Sequence, residues 1–422
     1  AEIVCSLTEN KDLQAVLLHD SGTYSSDPRH APFFIHAFVT NHYINGSYYP
    51  RGGPDAIAKK IIPTITSACG DVLANAPVKQ VKINKLTGRA MGVLMKNDRF
   101  IAARKAVVSD AGLYNTLHHL LDSKLKARIK LMDRYFGSQP RNFSAKHADD
   151  DAADTSTKKL HTSQTGMYLF IGLKGDHNKD LHLPHKQIWF IPSNQTTFNA
   201  LERMTLDEAL KLKPTDIPFL LTIPSGKDSK WNDKYRDKST IEIMTLAPYK
   251  WFEKFAPSYV GSTELGGLAD PGGIPDSHGT EYEAVKKHFA QLLWSSAVEL
   301  LKCCAPAVNV PKSLDGVDHY QMATPLTFAH YYRRDGGAWY GVDNDLTRWD
   351  PVHQLENVRP AIPEIPRLYL TGQDACSNGF VGAMIGGWMC ASSIDGAFDP
   401  MSILEKATFD PCEETSALGS VG

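Results

Sequence analysis

"LYLTGQDACSNGFVGAMIGGW", Leu368–Trp388, decides how the rest of the sequence is read. Leu368, Tyr369 and Leu370 form an apolar, strand-like run that ends at Thr371-Gly372. A short polar turn comes next, then Gly, Ala, Val, Phe, Met and Ile with no charged residue among them. A strand that enters a helix through glycines is a place for an anion. The unpaired N–H groups and the positive end of the helix dipole meet it, and glycine lets a ligand approach the backbone. On this reading Gly372 makes the turn and Asp374 accepts from ligand hydroxyls. Asn378, Gly379, Phe380, Val381 and Gly382 supply N–H groups, while Gly386 and Gly387 let the helix pack closely. The other reading is a glycine-rich helix packed tightly on a sheet with no ligand at all.

The chain around this motif has 422 residues, a length that suggests two domains. With 42% hydrophobic and 22% charged residues it has the composition of a globular protein. A net charge of -2 leaves no electrostatic footprint for nucleic acid or for an anionic membrane surface. Seven cysteines without a CxxC pair give neither a disulfide framework nor a zinc site, so no metal is expected. Cys303-Cys304 is expected to be a pair of buried thiols. No apolar run reaches the ~18 residues of a membrane-crossing helix. The nearest approach, Gly379 to Ile394, reads as a buried helix.

Along the chain, Ile3 to Leu18 has helical periodicity. Pro54 opens a second helix whose face carries Ile57, Ile61 and Ile62 and which Gly70 stops. From Asp71 to Asp110 short alternating runs form a meander that closes on the apolar strand in "AVVSDAG". Leu113 to about Phe136 reads as helix. The segment "KHADDDAADTSTKK" is a polar surface loop that lacks the glycine and terminal acid of a calcium loop. "MYLFIGL", "QIWFIPS", "PFLLTIPS" and "STIEIMTL" are four strands. "EYEAVKKHFAQLLWSSAVELLKCCAP" is a long amphipathic helix with Val285, Phe289, Leu292, Leu293 and Leu300 on or near one face. "PLTFAHYYRRDGGAWYGVD" reads as a strand and a glycine-rich bend. The expected fold class is α/β: a doubly wound domain, incomplete at its N-terminus, with an inserted antiparallel α+β domain. Residues 46–120 and 330–400 would make the first, 121–329 the second, with 1–45 a helical part of the second and 401–422 a loose tail.

Six stretches carry a family resemblance: "YYPRGGPDAIAKKIIPTI", "VVSDAGLYNTLHHLL", "GAWYGVD", "PFLLTIPSGKDSKWND", "EIMTLAPYKWFEKF" and "RLYLTGQDACSNGFVGAMIGGWMCASSI". They resemble the retinol saturase group of the phytoene desaturase and carotenoid isomerase flavoproteins. The match spans most of the chain in the right order. The resemblance implies an FAD enzyme acting on the double bonds of a long isoprenoid, as a saturase, an isomerase or a desaturase, with NAD or NADP as possible electron donor. Carried over, Val78 contacts the adenine through its backbone, and Ser109, Ala111 and Gly112 lie near the ADP part. Gly372 and Asp374 lie by the pyrophosphate and ribityl chain, and Gly379, Phe380, Val381 and Gly382 place the helix start under the flavin ring. Tyr49, Arg51, Gly52 and Gly53 lie on the substrate side, and Tyr48, Tyr49 and Arg51 are the catalytic candidates. The resemblance also implies a hydrophobic polyene substrate and peripheral membrane contact, in the endoplasmic reticulum or a plastid.

One part of the family pattern is absent. Such a flavoprotein opens on a strand and a GxGxxG turn that cradles the pyrophosphate. No GxGxxG occurs here, and the sequence starts where the family's second segment would fall. The expectations are weak FAD binding by this chain and a sheet edge open to a partner chain. The alternative function is a non-catalytic, cofactor-deficient relative kept as a structural or interaction subunit.

Overall fold

The computed structural model describes residues 1–126, 160–192, 200–256, 279–349 and 359–395. The polar segment expected at 146–159 and the tail at 401–422 lie outside them. Helical periodicity at the start resolves into α1 (Glu2–Leu7) and α2 (Lys11–Leu18). Thr8 is extended and ends α1. The Asn10 side chain then accepts from the Leu13 N–H and restarts the helix. α3 (Ser21–Tyr24), α4 (Phe33–Tyr43) and α5 (Asp55–Ser67) come next. Pro54 stands one position earlier than expected, as the N-cap of α5. Gly70 closes the helix by donating its N–H to the Ile65 carbonyl.

β1 (Val78–Ile83), β2 (Ala90–Met95) and β3 (Phe100–Ala102) form the antiparallel meander. β4 (Val107–Ser109) then leaves that sheet and pairs in parallel with a strand some 260 residues later. After β4 the expected long helix is shorter and wider: Asn115–Leu120 is a π-helical turn, and Ser123–Lys126 a single α-turn. Residues 127–136 of that expectation lie outside the described part.

The larger sheet contains β5 (Gly166–Lys174), β6 (Ile188–Phe190), β7 (Phe219–Thr222), β8 (Lys238–Leu246) and β9 (His319–Ala323). Its order is β6-β7-β8-β5-β9, and every neighbouring pair is antiparallel. Alternation sorts the side chains between two faces. Met167, Leu169, Ile171, Ile241, Ile243 and Leu221 point to the face covered by α6 (Thr280–Cys304), where Phe289, Leu293, Ala297 and Leu301 are buried with them. Each such large side chain contributes about 1.5–3 kcal/mol on leaving water. The second face carries Tyr168, Phe170, Leu220, Glu242 and Met244.

Two expectations fail here. "PLTFAHYY" is not a strand but α7 (Pro325–Tyr332); the strand is β9, just before it. Thr324 and Thr327 form a reciprocal capping box, and Pro325 sits in the first turn, where its missing N–H costs nothing. The aromatic and β-branched residues that suggested a strand are outvoted by that cap. Cys303 and Cys304, in the last turn of α6, are exposed rather than buried. The chain closes on β10 (Leu368–Leu370) and α8 (Gly379–Asp395). The architecture is therefore mixed α/β, with one parallel pair and two antiparallel sheets among the described residues. No described helix is long and apolar enough to cross a membrane.

Candidate functional site

β4 and β10 run side by side, Val107 opposite Leu368 and Ser109 opposite Leu370, and the Thr371 N–H extends the ladder to the Ser109 carbonyl. Both strands therefore end at the same place. The turns beyond their ends, Asp110-Ala111-Gly112 and Gly372-Gln373-Asp374, form one rim of a cleft of ≈ 420 Å³. Asp110, Ala111, Asn115, Tyr332, Arg334, Trp339 and Gln373 line it. The carboxyl ends of parallel strands are where open α/β sheets hold their ligands.

Three glycines shape this rim. Gly112, Gly341 and Gly372 all have positive φ, at 85°, 88° and 78°. A Cβ on Gly372 would lie 1.9 Å from Asp110 Oδ1, and one on Gly341 would lie 2.4 Å from Asp374 Oδ1. The Asp374 carboxylate is buried and accepts from two distant backbone groups, the Leu113 N–H at 2.7 Å and the Val342 N–H at 3.1 Å. It thus pins the turn after β10 to the turn after β4 and to the 341–342 loop. Burial, and then the neighbouring Asp374 carboxylate, push the Asp110 carboxyl above its usual range, while Arg334 opposes them. Arg334 is itself held by its Nη1, which donates to the Trp339 carbonyl at 3.0 Å.

Arg348 supports the rim from behind. It is fully buried, and its guanidinium donates to the carbonyls of Val342 (3.0 Å), Gln373 (2.9 Å) and Cys376 (2.8 Å). A buried cation is tolerable only where it is well hydrogen-bonded, and these carbonyls meet both terminal nitrogens of the guanidinium. Nothing in "DNDLTRWD" marks this arginine as buried. Asp110, by contrast, stands inside the strand-end motif "VVSDAG", where position alone could have singled it out.

The residues expected at the cofactor divide into two sets. Ser109, Ala111, Gly112, Gly372 and Asp374 come together at the rim. Ser109 spends its hydroxyl on Thr116 Oγ1 at 2.7 Å. Of the helix glycines, Gly386 makes room for the Gly372 carbonyl, which a Cβ would approach to 2.1 Å. Gly382 does the same for the Ser377 carbonyl, at 2.0 Å. Gly379, with φ 85°, would have nothing within 4 Å of a Cβ. Its flank is open, and Phe380, Val381 and Met384 beside it are exposed. Val78 opens β1, opposite Met95.

The catalytic candidates divide as well. Tyr48 is 92% exposed and stands in solvent. Tyr49 is partly covered, and burial and then the Glu242 and Asp228 carboxylates raise its phenol. The Gly52 N–H donates to Asp228 Oδ1 at 2.8 Å. The Tyr49–Gly53 bend therefore lies by the second face of the five-stranded sheet, and Arg51 in it is exposed. That face reaches the cleft through Tyr168, whose ring lies 5.1 Å from Trp339 and 5.2 Å from Phe328. Among the described residues no group of His, Cys, Asp and Glu could hold a metal.

No family model matches the sequence. Curated proteins do match. The all-trans-retinol 13,14-reductase of Danio rerio is 30% identical over 395 residues, which cover 93% of this chain and 57% of that protein. The protein of the same name from Homo sapiens is 32% identical over 403 residues, with the same coverage. An inactive all-trans-retinol 13,14-reductase of Danio rerio is 28% identical over 402 residues, 93% of this chain and 56% of that protein. The chain is retinol saturase-like along nearly all its length, and it spans just over half the length of these relatives. Among solved structures, a RAB GDI from Plasmodium falciparum aligns with a TM-score of 0.31 and 10% identity, over 82% of this chain and 46% of that one.

Proposed function

We propose that this chain is part of an FAD-dependent oxidoreductase that acts on a double bond of a retinoid polyene. The observation that carries the reading is the cleft at the joint carboxyl ends of β4 and β10, walled on its far side by the aromatic face of an antiparallel sheet. One wall offers backbone donors and fixed charges, the other a hydrocarbon surface. That division suits a charged cofactor on one side and a polyene on the other. The relatives' names supply the substrate class.

The residues fit the flavin end of FAD. The first-turn N–H groups of α8, at Gly379 to Gly382, lack helical acceptors, and the Gly379 flank gives access to them. Ala111 and Gly112 would pass beneath the ADP portion, with Val78 reaching the adenine from β1. Gly372 and Asp374 would set the turn that the ribityl chain crosses. When bound, the flavin supplies the two-electron chemistry that no side chain here can perform on an isolated double bond. Arg334 would hold negative charge at the cleft. Trp339 and Tyr168 would keep water from the polyene. Reduced NAD or NADP serves as electron donor in this reading, and the exposed isoleucines of α5 would touch a membrane surface or a partner chain.

The test is the product formed from all-trans-retinol by the protein loaded with FAD and supplied with NADH or NADPH, separated by chromatography. A reduced retinoid supports a saturase, and a geometric isomer of unchanged mass assigns an isomerase instead. A second reading, a non-catalytic relative, draws on the likeness to the inactive zebrafish protein. Purified protein without flavin absorbance at roughly 450 nm, and without turnover, would establish that reading in place of the first.

A further inference from the structure

The second face of the five-stranded sheet is apolar toward the cleft and mixed away from it, where Thr222, Thr240 and Gln321 stand with Glu242. Trp189, Leu220, Met244, Leu246 and Trp339 form one cluster on it, continuous with the cleft through Trp339. Two residues further along β8, roughly 7 Å away, stands Glu242. Register fixes its setting: Thr222 lies opposite on β7 and Phe170 opposite on β5. A carboxyl group on the central strand of an apolar face is expensive unless it is paired. Yet Glu242 is in no hydrogen bond or close ion pair with another described residue; Lys227 acts on it only through space.

Lys227 comes from the turn after β7. Its ammonium donates to Thr222 Oγ1 and to Gln187 Oε1, the latter at 3.2 Å. An ammonium has three donors, so one remains beyond these two. Burial lowers the Lys227 ammonium and raises the Glu242 carboxyl, each opposed by the other. Tyr49, on the bend that leans toward this face, adds a phenol within electrostatic reach of Glu242. A donor, an acceptor and a hydroxyl thus converge at the far end of a hydrocarbon surface that begins at the cleft.

Resting on the polyene reading above, we propose that Lys227 and Glu242 bind the terminal hydroxyl of a polyene alcohol whose chain lies along Phe170, Met244 and Tyr168 toward the cleft. The hydroxyl accepts from Lys227 and donates to Glu242, using capacity that the fold leaves unspent. The pair therefore selects an alcohol over the hydrocarbon of the same skeleton and sets which end of the chain enters first.

Quenching of tryptophan fluorescence in the full chain tests this with two probes, all-trans-retinol and its deoxy hydrocarbon. The unaltered chain should bind the alcohol about tenfold more tightly. Lys227→Met and Glu242→Gln should each erase that preference while leaving hydrocarbon binding unchanged, and Lys227→Arg should keep it. Thermal melts establish that each variant is folded. Equal binding of the two probes by the unaltered chain, a preference that survives in both variants, or a parallel loss of both ligands overturns the head-group assignment and leaves the polyene reading standing. Failure of the unaltered chain to bind either probe overturns the polyene reading and this proposal with it.

Discussion

A side chain on Gly372 would begin where the Asp110 carboxyl now lies and would have to turn it aside. The Gly372 φ of 78° would strain any other residue as well. Gly372→Ala should therefore cost about 2–4 kcal/mol, the range of overpacking combined with backbone strain, read as a fall in urea midpoint at unchanged slope. Asp110 carries a different expectation. Its folded carboxyl titrates above the unfolded one, because burial and Asp374 disfavour its charge. The sign comes from linkage: the stability tied to the protonated form is complete below the unfolded pKa and is lost as pH rises through the folded one. Asp110→Asn removes that loss. Its melting temperature relative to the unaltered chain should rise as pH climbs above the ordinary carboxylate range, about pH 4. A difference that stays flat as pH climbs would show that Asp110 titrates as an ordinary carboxylate.

At the scale of elements, α7 shows what a cap decides. The Thr324 hydroxyl oxygen accepts from the Thr327 N–H and meets the buried Tyr282 hydroxyl at 2.7 Å, while the Thr324 N–H donates to Thr327 Oγ1 at 3.1 Å. Thr324→Val keeps the shape and the backbone bond but removes the two bonds of the hydroxyl, so it should cost about 1–2 kcal/mol in a denaturant titration. The same element shows where the sequence is legible and where it is not. Period-two alternation locates β5 and β8 because one face of each is buried against α6, so pattern and packing agree. α7 reads wrongly as a strand because its composition favours one, while the deciding feature is two threonines and a proline at its start. Asp374 is visible as part of a motif. Its two backbone partners, in the 113 and 342 turns, are not, since no local signal links segments more than 200 residues apart in the case of Leu113.

For the whole molecule, the resemblance to flavoproteins and the missing glycine turn pull in opposite directions. The helix start at Gly379 can meet the ring end of FAD, but the charge of the cofactor lies in its pyrophosphate. Each charge-assisted hydrogen bond is worth about 1.5–3 kcal/mol, so several absent ones weaken binding by orders of magnitude. Titration of FAD into this chain should therefore show weak binding or none; stoichiometric, tight binding would mean that the pyrophosphate is held by other residues. The surface agrees with a chain that meets something further. No residue of α5 is buried, and Ile61, Ile62 and Ile65 on it are exposed, as are Phe380, Val381 and Met384 on α8.

Asp374 has a consequence for the order in which the molecule assembles. Its carboxylate grips Leu113 and Val342, while Arg348 beside it grips Val342, Gln373 and Cys376, its near neighbours in sequence. The Asp374 clasp cannot close until the turn after β10 has met the turn after β4, more than 200 residues away. Loop closure over such sequence separations is slow, whereas the β5–β8 pairing and its packing on α6 start from closer neighbours. The cleft should thus be the last part to set during refolding. Asp374→Asn should then speed unfolding and leave the folding rate nearly unchanged, which a chevron plot would read as a φ-value near zero.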